Sequence, residues 1–405
     1  MGDHIAIDDR LLIGRRTLLD RQLAPAAYTL IYHDAGAEAE SDLAGARLAA
    51  NAFLEQGLER LTGSLPAFLS VNRALVTGRV ALPPAPPTIG VEVSAGALAD
   101  PGLVEGIRVL KGDGYAVMLH VDVPDVSERT LALADWVRLD YPRLGGETLH
   151  ALAETLAARE FPVAAGNLPD YVAFDHCMAS ACALFDGPFL TAPRLITRAP
   201  LPANRAVAME LVARLEDPTC GIADLDDLIA QDATLAYRLL RYVNCAGVGV
   251  RREVESIRET IVMLGARTVR NLATLLVMAR LDHPASRPLL LLSLIRARMC
   301  EQVAEQTGLA EPTAAFTTGL LSLIDALMER PMVELLDSLP VAAEIRLALL
   351  DRDGGLGELL EIAVGFERGD WPGLTAHVGH PTLHSETYVN AILWAEDNYE
   401  LLATL

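Results

Sequence analysis

The chain has 405 residues, with 33 Lys and Arg against 54 Asp and Glu, a net charge of −21 and 51% hydrophobic residues. That length suits two or three domains, and the composition is that of a chain folded nearly throughout. The acidic balance argues against duplex nucleic acid and anionic membrane surfaces as partners, and no aromatic stripe is present for single strands.

The start, Met1-Gly2-Asp3-His4 followed by Asp8-Asp9-Arg10, has no basic segment leading into an apolar run, so no secretory leader is expected. The strongly apolar stretch Leu289 to Ile295 is far shorter than the roughly 20 residues that span a bilayer. A cytoplasmic location without a membrane span is the expectation. The five cysteines form no C-x-x-C pair, which fits buried reduced thiols better than a redox or metal motif.

In chain order, strands are predicted at Tyr28 to His33, Ala67 to Asn72, Thr88 to Val93, Tyr115 to Val121, Trp136 to Asp140, Phe161 to Ala165 and Cys182 to Phe185. Between them, Glu38 to Leu61, Leu98 to Leu110 and Glu147 to Arg159 carry apolar residues at helical spacing. Strands apolar on both faces, alternating with helices in this number, predict a parallel sheet closed into a β/α barrel. Pro83 to Pro87 reads as a stiff surface spacer. The cluster Pro193, Pro200 and Pro202 then interrupts both periodicities. This places a barrel domain at 1–192, a linker at 193–202 and a helical domain at 203–405.

Helix signals dominate the second half. Ser256-x-x-Glu259 forms a capping box ahead of Ile257, Ile261 and Leu264, and Gly265 suits the helix end. Pro288 can open a helix that Gly308 closes. Asn244 reads as a structural residue at a helix end, and Trp394 as an anchor docking the last helix. The fold class is therefore α/β followed by all-α.

In a β/α barrel the reactive groups come from the C-terminal strand ends. Here those ends carry His33-Asp34, Asn72, Glu92, His120 with Asp122, Arg138 with Asp140, Ala165 to Asn167, and Asp186. Taken alone they fit either chain emerging into water or a divalent-metal site, because nothing pairs the carboxylates at a fixed spacing.

The runs Ala27-Tyr28-Thr29-Leu30, Phe68-Leu69-Ser70-Val71-Asn72, Val91-Glu92-Val93-Ser94, Gly114 to Val121 and Trp136 to Asp140 resemble the E-A-L family of cyclic di-GMP phosphodiesterases. On that resemblance the signature glutamate falls on Thr29, the paired metal-bridging aspartates on His120 and Val121, and the lysine on Arg138. The late glutamates fall on Ala165 and Leu168, and a glutamine on Asp186. Only Asn72 and Glu92 remain of the implied metal ligands, and a two-metal site needs more anionic oxygen than one carboxylate and one amide supply. The resemblance thus implies a degenerate barrel of E-A-L type whose hydrolytic chemistry is lost.

Pro200-Leu201-Pro202, Leu228 to Leu235, Arg238 to Ala246 and Ser256 to Gly265 resemble the HDOD domain, a helical relative of HD hydrolases. Gly319-Leu320-Leu321-Ser322-Leu323 stands where active relatives carry Gly-Leu-Leu-His-Asp, so the degenerate positions are Ser322 and Leu323. The upstream histidine position, near Met299, is lost as well. Together the two halves resemble the YuxH-type E-A-L/HDOD signalling family. This implies a cytoplasmic bacterial signal-transduction protein contacting other signalling proteins, with no catalytic residue, metal or cofactor. The alternatives are a cyclic di-GMP sensor without turnover, against which Arg138 among several acids argues, and an enzyme with a rebuilt site, either a residual cyclic di-GMP phosphodiesterase or a new hydrolase using Glu92, His120, Asp122, Asp140 and Asp186. A homodimer contact is a further option.

Overall fold

The computed structural model describes residues 11–34, 61–82, 88–194, 203–217, 219–245, 254, 256–281, 284–378 and 385–404. The spacer 83–87, most of the expected helix from 38 to 61, and linker positions 195–202 lie outside the described residues. Among the described residues no helix is long and apolar enough to cross a membrane.

The barrel begins with an antiparallel hairpin, β1 (Leu11–Leu19) and β2 (Pro25–Asp34). Its turn is set by Asp20, whose Oδ1 accepts the Gln22 and Ala24 amides at 2.8 and 2.9 Å while Leu23 takes a left-handed φ of 61°. Then follow β3 (Ala67–Ser70), β4 (Ile89–Ser94), β5 (Ala116–Val121), β6 (Trp136–Asp140), β7 (Val163–Gly166) and β8 (Leu184–Phe185). Each runs parallel to its predecessor, and β8 meets β1 antiparallel at Leu19 and Phe185, closing the barrel. The sequence reading missed β1, because Gly14-Arg15-Arg16 breaks the apolar pattern. Its hairpin partner makes it a strand: Arg15 lies 4.4 Å over the Tyr28 ring and donates to the Leu61 carbonyl at 2.6 Å.

Leu18, Ala27, Phe68, Met118, Ala164 and Leu184 fill the barrel interior, with Ala116 and Trp136 packed against them. Side chains alternate along a strand, so the same inner face carries Thr29 two residues beyond Ala27, His120 beyond Met118, and Arg138 then Asp140 beyond Trp136. The mouth is thereby lined with polar groups above an apolar plug. Outside, the helix Pro101–Gly112 turns Leu103, Ile107 and Leu110 inward and is capped by Asp100, which accepts the Gly102 amide at 2.8 Å.

Two compact units result, one of residues 1–192 with 365–389 and one of 193–364 with 390–405. Residues 365–389, expected within the helical domain at 203–405, group with the barrel unit. The reason lies in packing: Phe366 is fully buried between Trp371 and Tyr388, with ring centroids at 5.8 and 5.3 Å, and this cluster belongs to the barrel unit.

In the helical unit, Ser256 caps Ile257–Leu264 by accepting the Glu259 amide at 3.1 Å, and Gly265 turns the chain at φ 86° into Ala266–Met278. The helices Ser286–Thr307 and Pro312–Leu321 pack backbone to backbone; a Cβ on Gly319 would fall 2.5 Å from the Ala297 Cα. Trp394, on Ser385–Thr404, stands edge-on to Phe316 at 6.0 Å with Arg298 over its ring at 5.5 Å. Cys177, Cys182 and Cys300 are buried free thiols, and burial pushes Cys177 and Cys300 up to about 12.

Asn244 ties the end of Ala233–Cys245 to residue 254: its Nδ2 donates to the Val254 carbonyl at 2.9 Å and its Oδ1 accepts the Val254 amide at 2.8 Å. Removing both bonds in Asn244→Ala should cost about 1 kcal/mol, the lower end for a half-exposed pair, read as a shifted urea midpoint with unchanged slope.

Candidate functional site

At the mouth the side chains organise around Arg138, which is 2% exposed. Its Nε donates to Asp186 Oδ2 at 2.7 Å and its Nη2 to Asp186 Oδ1 at 2.8 Å, a two-pronged pair between β6 and the residue following β8. Nη2 also donates to Asn167 Oδ1 at 3.1 Å, and Nη1 lies 3.6 Å from Glu92 Oε1. The guanidinium lies flat against β7, where a Cβ on Gly166 would fall 2.4 Å from its central carbon. Only glycine leaves room for it.

Asn167 joins the two acids. It takes the left-handed conformation at φ 58°, which asparagine tolerates, and so brings its amide to Asp186 Oδ1 at 3.2 Å while its Nδ2 donates to Asp140 Oδ1. The sequence reading placed Asn167 at a strand end without giving it a role; the usable signal was an asparagine directly after a strand-end glycine. His120, in register with Arg138, holds Nε2 3.6 Å from Asp140 Oδ1, too far for a hydrogen bond.

The other expected positions divide. Thr29 is on the inner face with its hydroxyl buried and without a hydrogen-bond partner among the described residues. Asn72 caps the turn Arg73–Val76, accepting the Leu75 amide at 3.1 Å. Val121, also expected at the mouth, pairs with Leu139 and, one residue on from His120, falls on the opposite face of β5. Ala165 likewise alternates with the inward Ala164.

Burial alone would raise the Asp186 pKa, but the Arg138 charge and hydrogen bonds, with Arg16 and the Asn167 amide, hold it below the ordinary 3.8. Asp140 is also lowered: burial opposes this, and His120, Asn167 and Arg138 outweigh it. Arg138 itself is held charged, since Asp186 and Glu92 more than offset its burial. The residues present do not fit the two dications that the E-A-L resemblance implies. Both Asp186 oxygens face Arg138, and Asp140 Oδ1 is taken by Asn167. Among the described residues no three His, Cys, Asp or Glu side chains could hold a metal ion.

In the helical unit, Ser322 Oγ donates to the Gly319 carbonyl at 2.7 Å and accepts from Arg296 Nη1 at 3.2 Å. Leu323 is buried. Burial pushes nearby Asp325 up to about 6, against the Ala326 amide and the charges of Arg296 and Arg352.

A closed β/α barrel joined to a helical unit of this kind defines an E-A-L plus HDOD architecture. The HDOD domain model matches residues 201–334. The uncharacterised protein YuxH of Bacillus subtilis is 24% identical over 404 residues, covering 96% of this chain and 98% of YuxH. The cyclic di-GMP phosphodiesterase CdgJ of Vibrio cholerae is 27% identical over 380 residues, covering 90% of this chain and 87% of CdgJ. Among solved structures, the Klebsiella pneumoniae BlrP1 calcium/cy-diGMP complex is 10% identical with a TM-score of 0.37, covering 46% of this chain and 56% of that one. These likenesses support an E-A-L plus HDOD architecture for the chain, with the HDOD domain at 201–334.

Two titrations of opposite sign follow. Asp186 and Asp140 have folded pKa values below 3.8, so their contribution is full above that value and is lost as pH falls through the lower folded values. Asp186→Asn should remove about 3–5 kcal/mol at pH 7, by leaving Arg138 buried without its counter-charge, and flatten acid unfolding below about pH 4. Asp325 is raised when folded, so stability should increase as pH falls from 7 through about 6. Urea unfolding of Asp325→Asn against pH should lack that rise.

Proposed function

We propose that this chain is a cytoplasmic signal-transduction protein that acts through contacts with other signalling proteins and does not hydrolyse cyclic di-GMP. One observation carries the reading: the enclosed Arg138–Asp186 fork, which engages both oxygens of Asp186 and faces Glu92. Two-metal hydrolysis needs free anionic oxygen on both sides of a pair of dications about 3.5–4 Å apart. At this mouth the oxygens already serve a tethered cation. Ser322 and Leu323 support the same reading in the helical unit, as neither is an HD-type ligand pair.

The name of the Vibrio relative gives the competing reading, a cyclic di-GMP phosphodiesterase. A sensor without turnover is disfavoured by charge: a nucleotide with two phosphates would meet Glu92, Asp140 and Asp186, while the donors of Arg138 among them are directed to protein acceptors.

Purified full-length chain with magnesium or manganese and cyclic di-GMP should give no linear product. Product that disappears in Glu92→Ala would establish the phosphodiesterase instead, and saturable binding without product would establish the sensor. Affinity capture from the native cell should return signalling proteins whether or not the nucleotide is added.

A further inference from the structure

The β1–β2 hairpin is longer than the barrel it starts. β2 pairs with β3 only from Tyr28 to Leu30, whereas it stays paired with β1 out to Asp34. Beyond Leu30 the two strands therefore stand above the mouth as a ribbon arm. The inner face of this arm continues the interior alternation through Leu18, Arg16 and Gly14 on β1 and Ala27, Thr29 and Ile31 on β2, with Arg16 opposite Thr29 and Gly14 opposite Ile31.

That face is covered. A Cβ on Gly14 would lie 3.0 Å from the Phe366 carbonyl oxygen, and one on Gly369 would lie 2.2 Å from Ile31 Cδ1. Arg16 Nη2 donates to the Arg368 carbonyl at 3.2 Å. The covering element is the end of the helix Gly354–Arg368, closed by two bonds around Gly369 at φ 66°: the Gly369 amide to the Phe366 carbonyl at 3.2 Å and the Asp370 amide to the Gly365 carbonyl at 3.0 Å. Beneath it, Phe366 packs with Trp371 and Tyr388. Arg16 is thus tied to the covering turn while its charge acts on Asp186 inside the mouth.

We propose that residues 365–371 form a built-in cap over the β1–β2 side of the barrel mouth, held by the inner face of the hairpin arm and by Arg16, so that access to the mouth requires its displacement. The proposal concerns access and stands whether or not the mouth turns over a substrate. Gly14 serves it directly, because any side chain there would meet the cap's backbone.

The test uses the full chain and trypsin, which cuts after Arg368, the residue whose carbonyl Arg16 holds. A Thr29→Cys substitution adds a thiol on the inner face, and its reaction with iodoacetamide is followed by mass spectrometry at position 29. Arg16→Gln and, separately, Gly14→Ala should each speed both cleavage at Arg368 and labelling at position 29 by about fivefold, the loosening expected from losing one hydrogen bond or crowding one contact. Labelling of buried Cys177 should stay slow. Three results overturn the proposal. Unchanged cleavage means the arm does not hold the turn. Faster cleavage with unchanged labelling means the turn does not close the mouth. Equal acceleration at Cys177 means the whole barrel has opened.

Discussion

A guanidinium enclosed by protein must find acceptors for its donors or destabilise the fold around it, and the barrel mouth is arranged to meet that requirement for Arg138. Asp186 takes two of its hydrogen bonds and Asn167 a third, with Glu92 facing the remaining nitrogen. The consequences reach the backbone. Gly166 has to lack a side chain, and Asn167 has to turn left-handed to present both its amide and its side chain. The loop after β7 is then fixed in sequence, Leu168 donating to the Asp186 carbonyl at 2.9 Å and Phe189 to the Leu168 carbonyl at 3.0 Å.

The choice of cation matters. A lysine would offer a compact, strongly hydrated charge on a flexible stem, whereas the planar fork matches a carboxylate edge to edge and stays charged when enclosed. Being attached to β6, this cation cannot be released to admit a diffusible one. A dication entering the mouth would have to displace two charge-assisted hydrogen bonds and leave the guanidinium buried beside it, which costs several kcal/mol before any ligand bond forms. Chemistry at the mouth is therefore limited by an interaction internal to the fold.

Legibility in the sequence follows the range of the interactions. The parallel strands announced themselves because each is an apolar run with its own boundaries, and Ser256 and Gly265 announced their helix because caps act over three or four residues. β1 did not, since Arg15 depends on Tyr28 and Leu61, and neither contact leaves a mark in the run Leu11 to Leu19. The resemblance picked out Arg138 and Asp186 as altered positions, but not that they bind each other across 48 residues. The return of 365–389 to the barrel unit was equally hidden. The packing of Phe366 with Trp371 and Tyr388 joins separate helices, and no short-range spacing announces it.

The two halves reach a similar electrostatic arrangement by separate routes. In the barrel unit an arginine is enclosed among the mouth acids at the strand ends. In the helical unit Arg296 donates to Ser322, the position where the HD resemblance would put a histidine, and its charge acts on Asp325. The outcomes differ in sign because the enclosure differs in quality. Asp186, bonded directly by a guanidinium, is held ionised, whereas for Asp325 burial outweighs the pull of Arg296 and Arg352 and favours the protonated form. An arginine beside a carboxylate is thus not one device but two, and direct hydrogen bonding decides which of them the fold obtains.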